Sequence, residues 1–126
     1  MRTVIFILMI SIYNISFGQL NDVSRIIMKS SPTTYESIRL LSLKKHGASN
    51  QLVSKEINEQ CVAFSLIINS DDLNSNLLLK AMSENTYEKS KFNELINSGN
   101  ITRTFSLVID WVRVIEYYNS NKTYYR

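Results

Sequence analysis

Apolar positions along this 126-residue chain recur at steps of three and four, the period of helices buried on one side. A first helix is expected over 20–30, with Val23, Ile26 and Ile27 inward, and Ser31-Pro32 breaks it. Thr33 or Thr34 can cap a second helix that carries Glu36 in its first turn and Tyr35, Ile38 and Leu41 along one face. Lys44, Lys45 and His46 followed by Gly47 form its C-terminal signature. Ser49 or Asn50 starts the longest helix, whose inward row Val53, Ile57, Cys61, Phe64, Ile68 lies opposite a polar row of Lys55, Glu56 and Glu59. Asn69-Ser70-Asp71 ends it and caps a fourth helix with Leu73, Leu77, Leu78 and Ala81 inward. Asn85 or Thr86 caps a fifth carrying Tyr87, Phe92, Leu95 and Ile96, stopped by Ser98-Gly99-Asn100. Thr102 or Thr104 opens the last, with Phe105, Val108, Val112 and Ile115 in a row, Trp111 beside it, and a fraying polar and aromatic tail over 119–126.

The β-branched and aromatic residues of 62–68 and 105–115 also suit buried strands. Asp110, Arg113 and Glu116 recur every three residues, however, which groups them on one side of a helix and scatters them over both faces of a strand. The expected fold class is therefore all-α, a compact bundle of five to six helices in a single domain over 19–126.

The first 18 residues have a different pattern. Met1-Arg2 is a minimal positive start, Val4 to Ile12 is an apolar run broken by Ser11, and Ser16-Phe17-Gly18 places small residues where a signal peptidase needs them. A cleaved signal peptide over 1–18 is expected, with the cut between Gly18 and Gln19. The apolar run is shorter than the ~20 residues of a membrane span, so no stable anchor is expected after cleavage. A lipoprotein is excluded, because the one cysteine stands at position 61. Export combined with a single cysteine fits a bacterial periplasmic domain held by its core better than a disulfide-built extracellular one, and secretion is the alternative.

Charge and chemistry narrow the function chiefly by exclusion. The net charge of +3 is small and the densest basic cluster is Lys44-Lys45 beside His46, which reads as a solvated helix end and not as a nucleic-acid footprint. Cys61 with His46 is the one possible Cys-His pair. Cys61, however, lies in an apolar row and His46 at a helix terminus. One His and one Cys do not make a zinc site without several carboxylates. The adjacent Asp71-Asp72, with Glu84 and Glu88 downstream, is explained by helix capping, and glycine-rich phosphate loops and serine elbows are absent. No catalytic residue, cofactor or metal is expected. Two features suit binding: the tyrosines Tyr117, Tyr118, Tyr124 and Tyr125 near Trp111, which can also simply close the core, and a polar turn over 97–104 carrying Arg103.

Two segments resemble a known family, the periplasmic immunity proteins that neutralise type VI secretion peptidoglycan amidases. Glu59-Gln60-Cys61-Val62-Ala63-Phe64 is similar to that family's mid-chain helix, and Arg113-Val114-Ile115-Glu116-Tyr117-Tyr118-Asn119-Ser120 resembles its last helix, with 87–96 matching the helix before the final turn. Val114 stands where the family has a second cysteine, so the family's disulfide does not carry over and Cys61 is left as a free thiol. The resemblance implies a small helical inhibitor, possible as a homodimer, that occludes an amidase active site with a projecting segment of the dimer. By position that segment is the turn Ser98, Gly99, Asn100, Arg103, with 69–72 as the second candidate. Two other readings compete with it: an exported envelope-associated protein with a structural or stress role, and a small hydrolase.

Overall fold

The computed structural model describes residues 19–125, all of them helical or in short connections. The expected leader, including Gly18, lies outside the described residues. Six α-helices follow one another: α1 (Asp22–Ser30), α2 (Pro32–His46), α3 (Asn50–Ile68), α4 (Ser75–Glu84), α5 (Lys89–Asn97) and α6 (Trp111–Asn121). Two 3-10 helices, Ile101–Ser106 and Lys122–Tyr125, flank α6. No β-strand forms among the described residues; one isolated antiparallel bridge joins Thr86 to Ile109. The expected all-α architecture holds.

Helix α3 is the strut against which α1, α2 and α6 pack, while α4 packs on α6 and α5 on the first 3-10 helix. Its inward row supplies Val53, Ile57, Cys61 and Phe64 to the core as expected, but Ile67 and not Ile68 completes it, and Ile68 is exposed. At that end of the helix the neighbours lie one residue further round the axis. Ile26 is likewise exposed, and Ser24 with Ile27 faces inward from α1. Trp111 is no flanking residue but the centre of the core. It is fully buried, with ring centroids 4.9 Å from Phe64 and 5.9 Å from Phe105, contacts worth ~0.5–1.5 kcal/mol each beyond area burial.

Several caps differ from expectation because the hydroxyls have partners elsewhere in the fold. Ser31 precedes α2, and Thr34 Oγ1 donates instead to Phe105 O at 2.9 Å while Thr33 Oγ1 lies 2.9 Å from Ser106 Oγ. Ser37 Oγ donates to Ser106 O. The first turn of α2 is thus stitched to the 3-10 helix some seventy residues later in the chain. Asn74 and not Asp71 caps α4, its side chain accepting from Leu77 N at 3.0 Å, and Tyr118 Oη accepts from Asn74 N at 2.8 Å. Asp71 and Asp72 stay exposed in the preceding loop. Neither Asn85 nor Thr86 caps α5; Glu88 holds that position, and its amide donates to Thr86 Oγ1 at 3.1 Å. Ser49, by contrast, caps α3 as expected.

The largest departure is the expected helix from Thr102 or Thr104 onward. Residues 101–106 form a 3-10 helix, 107–110 run extended, and α6 begins only at Trp111 with Asp110 as its cap. The extended piece is held by Tyr87 N donating to Val108 O at 2.9 Å, Asp110 N donating to Asn85 O at 3.0 Å, and Val108 N donating to Glu88 Oε2 at 2.8 Å. Val108 therefore leaves the helical row. The tail departs too: α6 continues to Asn121, and a 3-10 turn extends the chain to Tyr125.

Candidate functional site

The least expected polar arrangement centres on buried Gln60 and Asp110, where α2, α3 and α6 meet. Glu56 and Gln60 stand one turn apart on α3, so both reach the same end of the core. Gln60 is fully buried and satisfied on both sides: Nε2 donates to Asp110 Oδ1 at 2.8 Å and to Glu56 Oε2 at 3.1 Å, and Oε1 accepts from Trp111 N at 2.6 Å. Asp110 caps α6 through Arg113 N at 3.2 Å and receives Lys45 Nζ at 2.8 Å. Glu56 takes Lys45 at 3.5 Å and lies 3.2 Å from His46 Nε2.

Glu56 is half-buried and not outward as expected, because Lys45 and His46 reach it; Lys44 and Lys45 stay exposed as a solvated helix end should, but Lys45 also spans the carboxylates of Glu56 and Asp110. Burial alone pushes Asp110 up. The hydrogen bonds from Lys45, Gln60 and the Arg113 amide, with the charge of Lys45, outweigh it and hold the carboxyl below the usual range. Glu56 is lowered in the same way, burial being outweighed by Gln60, His46 and Lys45. Burial opposes the charge of Lys45, yet its two carboxylate partners raise it overall. The amide of Gln60 and the carboxylates of Glu56 and Asp110 are each engaged by another member of the cluster or by backbone. The cluster ties the C-terminal end of α2 and the start of α6 to the middle of α3.

Cys61 has no exposed surface, and burial pushes its thiol up to about 11, only partly offset by the Ser24 hydroxyl. A nucleophilic cysteine needs the opposite shift. His46, its supposed partner, is engaged by Glu56. Among the described residues no three His, Cys, Asp or Glu side chains converge as a metal site. No described helix is long and apolar enough to cross a membrane.

The segment 98–103 joins the end of α5 to the first half of the first 3-10 helix, and all six residues are exposed. Its backbone closes on itself: Gly99 N donates to Ile96 O at 3.1 Å and Asn100 N to Leu95 O at 2.8 Å, with Gly99 at φ 77°. Those two bonds and that dihedral are the Schellman ending of a helix. Asn100 Nδ2 donates to Ser98 Oγ at 3.0 Å and Arg103 N to Asn100 O at 3.2 Å, so the loop is braced along its length. The Arg103 guanidinium makes no ion pair among the described residues. Ile101, which no helical spacing singles out, adds a 46 % exposed aliphatic side chain to the polar loop. The four residues expected to act together, Ser98, Gly99, Asn100 and Arg103, do stand on one short exposed segment. The second candidate, 69–72, is a polar loop in which Ser70 Oγ donates to Asp72 Oδ1 at 2.9 Å.

No protein family, curated protein or solved structure matches this chain.

Proposed function

We propose that this protein is an exported helical inhibitor, an immunity-type protein that occludes the cleft of a cell-wall amidase with the turn 98–103 and performs no catalysis itself. The observation that carries the reading is the braced Schellman turn, which holds Asn100, Ile101 and Arg103 outward on a backbone already hydrogen-bonded in one conformation. A pre-ordered loop loses little conformational entropy on binding, one of the costs an inhibiting loop has to overcome. An unpaired guanidinium beside an exposed isoleucine offers a partner both a charged hydrogen-bond donor and an apolar anchor. The resemblance of 59–64 and 113–120 to the type VI amidase immunity proteins supplies the target class, and the periplasm is the compartment in which the two proteins would meet.

The test is rescue. The product of the adjacent gene, sent to the periplasm, should lyse cells, and co-expression of this protein should prevent it. Arg103→Glu combined with Asn100→Asp should weaken the complex by about tenfold or more while leaving the circular dichroism spectrum unchanged. A harmless neighbour, or lysis that this protein does not prevent, sinks the inhibitor reading. Full rescue by the double variant removes the turn from it.

A further inference from the structure

The α3–α6 pair carries a second surface that the turn does not touch. Val62, Ala63 and Leu66 of α3 and Val112 and Ile115 of α6 line an apolar groove of about 420 Å3. Two of its walls are exposed aliphatic side chains, Leu66 at 59 % and Val62 at 38 % exposure. Glu59 and Glu116 also line it; both are exposed, and neither has an ion-pair partner among the described residues. Along α3 the positions Glu59, Val62 and Leu66 step by three and four, so carboxylate and apolar wall form one stripe. On α6, Val112, Ile115 and Glu116 repeat the arrangement within little more than one turn. Asn58 also lines the groove and is tied to the segment before α1, its Nδ2 donating to Gln19 O at 2.7 Å and its Oδ1 accepting from Asn21 N at 2.9 Å.

Two helices side by side with apolar facing stripes leave a valley that a third helix fills by ridge-and-groove packing. The charges select among occupants. A two-fold pairing of this face with its own copy sets two pairs of glutamates into one interface, and like charges there are costly. An anionic lipid surface is repelled by the same carboxylates. We propose that the α3–α6 groove is a docking site for an amphipathic helix of a partner protein whose apolar edge is flanked by lysine or arginine.

The inference does not rest on the inhibitor reading, and none of its residues lies in the turn 98–103. It is tested with two synthetic helical peptides of about 18 residues, long enough to hold a helix. Both carry the same leucine edge, flanked in one by lysines and in the other by glutamates, and binding to the protein is followed by fluorescence anisotropy. The lysine peptide should bind and the glutamate peptide should bind at least about tenfold more weakly. Leu66→Ser should weaken the lysine peptide by a similar factor, and Glu59→Lys with Glu116→Lys should reverse the preference. All three positions are exposed, and thermal melts of the variants confirm that the fold is kept. Amide shifts confined to Val62, Leu66 and Ile115 on titration support the site. Equal binding of both peptides, binding indifferent to Leu66→Ser, or no binding overturns the proposal, as does a dimer that Leu66→Ser abolishes in sedimentation while neither peptide binds.

Discussion

Gln60 shows how much one buried side chain can organise. Its amide joins Glu56 and Asp110 while its carbonyl oxygen accepts the first amide of α6, so one α3 residue positions the start of another helix. Asp110 depends on that arrangement, since it is at once a cap, an acceptor for Gln60 and the partner of Lys45. Removing it by Asp110→Ala deletes the cap and leaves Lys45 with the longer contact to Glu56. The loss should be about 2–3 kcal/mol, below the full cost of breaking a buried pair because Lys45 is partly solvated; the urea midpoint measures it. Cys61 gives a second prediction at this scale. With no exposed surface and a thiol pushed up to about 11, it should resist a maleimide at neutral pH for hours and react at once in urea. Rapid labelling of the native protein contradicts the burial. Local chemistry made this residue legible in the sequence, since its apolar row is periodic. Gln60 and Glu56 were not legible, because a polar residue's partner lies on another helix and no spacing reveals it.

At the scale of elements, what the sequence discloses is what is decided within a few residues. Ser49 before α3 and Gly47 after α2 act where expected, and Gly99 stops α5 as the stop signal at 98–100 required. The segment 107–110 was not readable: its apolar residues fit a helical row, and it is extended because Asn85, Tyr87 and Glu88 take its backbone groups. That competition is non-local, and periodicity is blind to it. The same holds for Thr33 and Thr34, competent caps whose hydroxyls are drawn to residues 105 and 106. Phase errors at Ile26 and Ile68 have the complementary origin, since period gives the width of a buried stripe but not where the neighbours sit. The candidate turn follows the local rule, which makes its backbone testable. A Cβ at Gly99 meets nothing within 4 Å, so Gly99→Ala pays only for its positive φ, about 1–2 kcal/mol. Gly99→Asn should cost less, because asparagine tolerates the left-handed conformation. If the two variants melt together, the left-handed turn is not what limits this helix end.

For the whole molecule, the polar cluster sets how stability varies with pH. Glu56 and Asp110 have lowered carboxyl pKa values in the fold, so their contribution is complete above the ordinary carboxylate range and is lost as pH falls through the lower folded-state values. Lys45 is raised, so its contribution is complete below its ordinary value and is lost only as pH rises through the higher folded one. Stability should therefore be level across neutral pH and decline below about pH 5, where unfolded carboxylates begin to take up protons. Because the cluster ties the C-terminal end of α2 to α3 and to the start of α6, its loss should loosen three elements together rather than fray one helix. Glu56→Gln with Asp110→Asn keeps the shapes and removes both titrating groups. That variant should be less stable at pH 7 and show a flatter acid limb, so that the two proteins converge as pH falls. Parallel urea midpoints from pH 7 down to pH 3 would assign the acid sensitivity to other carboxylates. The exposed Glu36, lowered chiefly by its hydrogen bond to Arg39, is the next candidate, although a solvated pair of that kind contributes little.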